Sequence, residues 1–188
     1  MFPSPMQYGQ KYSLAVTYSL MAANIAVYIV LQVGGEPVYS ALAQTGGTFF
    51  AGAYWQVFTA MFVHFDILHI GFNMIGLYYF GRLNEISYSR VEYLAVYFGA
   101  GLAGNVISLY VLPPDVPTGG ASGAIFGLIG SYVARERRGV NMAMAVGYAA
   151  LIFLLSSGPG VNIYAHLLGV VTGFALGVLF TKRGRDVL

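Results

Sequence analysis

The sequence contains no cysteine. That excludes disulfides, thiolate nucleophiles and metal sites built on sulfur. Charge is scarce as well. Asp, Glu, Lys and Arg make up 9% of the 188 residues, where a soluble domain carries about a quarter. With 57% hydrophobic residues and a mean hydropathy of +0.69, the chain has more apolar surface than so small a soluble body can bury. It therefore belongs in a membrane. A net charge of +2 is too weak to argue for a nucleic-acid partner. No repeat of fixed period is present, and no acidic residue falls inside the apolar runs.

What charge there is falls in a pattern. Apolar runs at 13–33, 67–81, 93–112, 121–134, 140–155 and 163–181 read as six membrane helices of an all-α membrane protein. Lys11, Arg82, Arg90, Arg135, Arg137, Arg138, Lys182, Arg183 and Arg185 all lie in the two tails and in the second and fourth loops. The first, third and fifth loops hold only Glu36, Asp66 and Asp115. Basic residues stay on the cytoplasmic side, so both termini are expected there, with the chain integral to the cell membrane. The organisation is a cytoplasmic tail over 1–11, a six-helix core over 12–182 and a second tail over 183–188.

Three segments depart from simple spans and turns. Ala41-Leu42-Ala43 resembles a signal-peptidase site, but the apolar run before it is too long for a signal core, so the first helix is expected to be retained. The first loop, 34–66, is rich in aromatics: Phe49, Phe50, Tyr54, Trp55, Phe58, Phe62 and Phe65. Amphipathic rings favour the headgroup region, which predicts short interfacial helices. The fourth helix is too short for a full span. Its outer end must lie below the surface, and irregular backbone at that depth is tolerated only against protein or a water-filled cavity.

That fourth helix opens with Thr118-Gly119-Gly120-Ala121-Ser122-Gly123, so Ser122 sits in a first helical turn, where N–H groups lack partners and the helix dipole is positive. Counting from the cytoplasmic ends, Ser122 is 13 residues from Arg135, His69 is 13 from Arg82 and His166 is 16 from Lys182. At 1.5 Å per residue all three lie roughly 20–24 Å up, beneath the outer surface of a core about 30 Å thick. Asn73 follows one turn below His69. Glycines 169, 173 and 177 on the sixth helix and Gly123, Gly127 and Gly130 on the fourth let the two approach closely. A neutral imidazole from His166 would then activate Ser122. His69, Asn73 and the Ser122 N–H would be donors to an oxyanion. With no carboxylate at this depth, the constellation is a dyad. His64 reads as lying near the membrane surface and holding the first loop in place. Asn24 and Asn105 read as interhelical hydrogen-bonding residues.

Taken together, Gly120-Ala121-Ser122-Gly123, His69-x-x-x-Asn73, the preceding Trp55, Thr59 and His64, and Ala165-His166-Leu167-Leu168-Gly169 followed by Gly173 resemble the rhomboid intramembrane serine proteases. The resemblance implies a six-helix bundle of the minimal prokaryotic form that cleaves single-span membrane proteins near the outer face. It implies Ser122 as nucleophile, His166 as base, and His69 and Asn73 as oxyanion donors. Gly120, Gly123, Phe126, Gly127, Gly169 and Gly173 would pack near the site. Transmembrane substrates and membrane lipid are the expected partners, with no cofactor, metal or nucleic acid. Gln56 follows Trp55 where the family often has Arg, which puts a first-loop contact in doubt. Phe126 stands where some members have Tyr; ring stacking on His166 is expected to survive.

The alternative is a non-catalytic rhomboid-like protein that binds transmembrane helices. Such relatives usually lack the serine or the histidine, and this chain keeps both. A transporter would favour acidic relays or inverted repeats, and neither is found. A metal peptidase on His64, Asp66 and His69 lacks the His-Glu-x-x-His pattern.

Overall fold

A computed structural model describes residues 13–136 and 162–183, with isolated helical positions at 143, 147 and 150. The long elements among them are all helices: α1 (Ala15–Leu42), α4 (Ile67–Ser87), α5 (Arg90–Val111), α6 (Ser122–Glu136) and α7 (Ile163–Arg183). Two short helices, α2 (Gly46–Phe50) and α3 (Gln56–Thr59), and a 3-10 turn over Ala60–Phe62 lie between α1 and α4. The fifth apolar run, 140–155, lies outside the described residues, apart from the isolated helical positions 143, 147 and 150, as do both tails apart from Arg183.

Among the described residues three helices are long and apolar enough to cross a membrane: Ala15–Leu42, Arg90–Val111 and Ile163–Thr181. A fourth span arises only if Gln56–Phe62 and Ile67–Ser87 are taken as one, and these meet at 89°. α6 has 15 residues, about 22 Å of helix, and is the short element expected.

Two boundaries differ from the sequence reading. α1 continues past residue 33 because Gly35, at φ 62°, turns the axis and Pro37 sits inside the renewed helix. α4 runs to Ser87, so Arg82 and Glu85 are helical rather than part of a turn. No helix breaker follows Gly81, and Glu85 has a long-range partner. Its carboxylate accepts from Val16 N at 2.8 Å, Thr17 N at 2.9 Å and Thr17 Oγ1 at 2.6 Å. α1 has no side-chain cap of its own, so a negative group from α4 satisfies its positive end. The turn to α5 is closed by Ser89, which forms a capping box with Glu92.

α6 lies at the centre, its Ala124, Phe126 and Leu128 buried among α4, α5 and α7. A Cβ on Gly169 would overlap the Gly123 carbonyl, and one on Gly173 the Gly127 carbonyl. The two backbones touch where only hydrogen fits between them. Asn24 donates to Leu20 O and Tyr97 OH, and Asn105 to Val57 O, so each ties separate elements as the sequence suggests. The link of Ser131 Oγ to Asn84 Oδ1, at 2.5 Å, joins α6 to α4 and was not anticipated.

Candidate active site

Ser122 is the first residue of α6. The loop before it is held on two sides. Gln44 and Thr118 exchange backbone hydrogen bonds of 3.1 and 2.8 Å, and Gly120 N donates to Ala60 O at 2.9 Å. Gly120 adopts φ 124°, a left-handed conformation that disfavours a side chain. A Cβ there would stand 2.8 Å from His69 Nε2 and 3.6 Å from Ser122 Oγ. The missing side chain is thus the space that the serine hydroxyl and the His69 ring share.

His166 comes from the first turn of α7. Its Nε2 lies 2.7 Å from Ser122 Oγ. The ring is 3% exposed and stacks on Phe126 with centroids 4.4 Å apart and planes at 21°. Its Nδ1 has no partner among the described residues. With Nδ1 carrying the proton, Nε2 is free to accept from the serine. Asn162 was not singled out from the sequence, although an Asn ahead of an apolar run is a helix-start signal. Its Oδ1 accepts from Ala165 N at 3.1 Å, and its amide nitrogen bonds Ser108 Oγ on α5. Those contacts fix the turn that carries His166.

Asp66 caps α4, accepting from Leu68 N at 2.9 Å and His69 N at 2.8 Å. His69 Nδ1 accepts from Phe65 N at 3.4 Å, which leaves Nε2–H facing Gly120 and Ser122. Asn73 is nearly buried, and its amide donates to His69 O at 2.8 Å, within its own helix.

His64 is fully buried within the protein, its ring 5.0 Å from that of His69. Nδ1 bonds Phe62 O at 3.1 Å, and Nε2 accepts from Ala121 N at 3.5 Å. Through these two bonds it ties the end of the first loop to the residue before Ser122. The chain turns by 89° between Gln56–Phe62 and α4, and His64 lies in that turn. Gln56 fills its place without an arginine: it is buried, donates to Ser40 O at 2.9 Å and accepts from Thr48 Oγ1.

Residues 51–183 match the family model for the Rhomboid domain. The chain belongs to the rhomboid family. It is an integral membrane protein, as the family and the apolar helices require. Among curated rhomboids it is 28% identical over 170 residues to the rhomboid protease GluP of Bacillus subtilis, covering 84% of this chain and 33% of that one. It is 30% identical over 187 residues to rhomboid-like protease 3 of Toxoplasma gondii, covering 89% of this chain and 70% of that one. It is 31% identical over 137 residues to the mitochondrial RHOMBOID-like protein 6 of Arabidopsis thaliana, covering 69% and 44%. The chain thus spans a third of GluP's length and less than half of the Arabidopsis protein's.

Proposed function

We propose that this rhomboid is a serine endopeptidase that cuts single-span membrane proteins near the outer face of the cell membrane, with both its termini cytoplasmic. The 2.7 Å approach of His166 Nε2 to Ser122 Oγ carries the reading. The relatives named as proteases support it.

In this mechanism His166 Nε2 takes the hydroxyl proton as Ser122 Oγ bonds to the substrate carbonyl carbon. The carbonyl electrons move onto oxygen, and the oxyanion is met by His69 Nε2–H, the Ser122 N–H and the free amide hydrogen of Asn73. Protonated His166 gives its proton to the leaving nitrogen as the peptide bond breaks. Water then loses a proton to His166 and attacks the acyl carbon, and that proton returns to Ser122 Oγ as the acid departs. Phe126 and Asn162 supply the orientation that a carboxylate gives the imidazole in a triad: the ring is kept in place by stacking and by its helix cap. Substrates with Gly or Pro near the outer end of their helix unwind at lower cost and are favoured.

The test is cleavage of a model single-span substrate by the purified protein in liposomes, alongside labelling by a fluorophosphonate. Ser122→Ala abolishes both, and His166→Ala abolishes labelling without abolishing substrate binding. Cleavage that survives Ser122→Ala would falsify the assignment. Substrate capture without cleavage or labelling in the wild type marks a helix-binding rhomboid instead.

A further inference from the structure

A concavity opens on the far side of Phe65 from His69. It has a volume of about 430 Å³ and lies between the C-terminal part of α1, α2 and the loop over 112–121. That is within the roughly 300–1,000 Å³ of sites that take a ligand or a few side chains. Glu36 and Asp115 line it from opposite elements. The sequence supplies no Lys or Arg from residue 12 to 81 or from 91 to 134, so neither carboxylate has a cation close to it along the chain. Among the described residues Glu36 accepts one hydrogen bond, an exposed one from Ser40 Oγ at 2.9 Å.

The wall nearest the serine is aromatic. Phe65 stacks on Tyr39 with centroids 5.9 Å apart, and its other neighbour is the His69 ring at 5.8 Å and 9°. Pro117 forms part of the rim, one residue before the Thr118 that pairs with Gln44 and five before Ser122. A peptide lying across Ser122 reaches the groove within a few residues, at about 3.3 Å each.

We propose that this groove docks the outer flank of the protein substrate and selects flanks that carry Lys or Arg. The proposal rests on the protease reading above. The alkyl stem of such a residue lies on Phe65 and Tyr39, and its charge reaches Glu36 and Asp115. Membrane proteins keep Lys and Arg to the cytoplasmic side. A basic outer flank is therefore uncommon, and a groove that reads it narrows the substrate set more than an apolar contact does.

The experiment uses the full chain in neutral-lipid liposomes with three otherwise identical single-span substrates, whose outer flanks carry Lys-Lys, Ser-Ser or Glu-Glu. Two partly exposed charge pairs give about a fivefold advantage in kcat/KM for Lys-Lys over Ser-Ser, with Glu-Glu slowest. The spread collapses at about 0.5 M salt, where screening acts over only a few ångströms. Glu36→Lys with Asp115→Lys reverses the order, leaving Ser-Ser turnover and fluorophosphonate labelling of Ser122 within about twofold of wild type. Equal kcat/KM for the three flanks overturns the proposal, as does an order that persists in the double variant or at high salt. If calcium chloride then alters wild-type turnover but not that of the double variant, the groove is a cation site instead. A chain that neither cuts nor labels removes the protease reading and the groove with it. One that labels and cuts without regard to flank charge removes the groove alone.

Discussion

At the scale of single residues, the site depends on what is missing at Gly120 as much as on what Ser122 and His166 supply. Gly120→Ala asks for a side chain at φ 124° and places its Cβ 2.8 Å from His69 Nε2. The backbone strain alone costs about 1–2 kcal/mol. The larger effect is displacement of the His69 donor, for which kcat is expected to fall at least ~100-fold, as when an oxyanion donor is lost. Substrate turnover and labelling rate, measured together, check this; an unchanged kcat would remove His69 from the oxyanion role. Asn162 acts through position. Asn162→Ala removes the cap from Ala165 N and the tie to α5, and is expected to cost about 1 kcal/mol in stability. It is also expected to lower kcat with little change in KM, because the His166 ring loses its fixed approach. Asn162→Ser keeps a capping oxygen and should restore most of kcat. If the cap served stability only, kcat would not move in either variant.

At the scale of elements, the α6–α7 contact brings the serine and the histidine together. Gly173 touches the Gly127 carbonyl two turns below His166. Gly173→Leu forces the helices apart and is expected to abolish labelling and to lower the thermal midpoint. Overpacking of this kind costs about 1–3 kcal/mol or more. Retained labelling at full rate would show that the close approach is not what sets the Ser122–His166 distance. The small-residue spacing of these helices is legible in the sequence because glycine recurs every three or four residues, on one helix face. The reach of Glu85 to the start of α1 is not, because nothing local to residues 82–87 says that another helix begins beside them. Gln56 shows the same limit. Its amide bonds Ser40 O and Thr48 Oγ1, partners that come into range only once the first loop has folded.

At the scale of the whole molecule, the placement of the basic residues predicts one orientation. The absence of cysteine makes it directly testable. Ser89→Cys lies in the turn between α4 and α5, and Asp115→Cys in the loop before Ser122. In intact cells a membrane-impermeant maleimide is expected to modify the second and to spare the first until the cells are opened. Equal modification of both, or the reverse order, would overturn the orientation with both termini inside.

Membrane class, the short central helix and the shared depth of Ser122, His69 and His166 follow from the sequence alone. Apolar runs and the absence of basic residues from alternate loops act along one axis, and counting residues measures that axis. Only the folded chain decided what happens across it: the 2.7 Å contact of Ser122 with His166, the burial of His64, and the groove lined by both Glu36 and Asp115. The physical reason is that neighbours across the axis are set by packing between elements far apart in the chain, which counting residues along one helix does not measure.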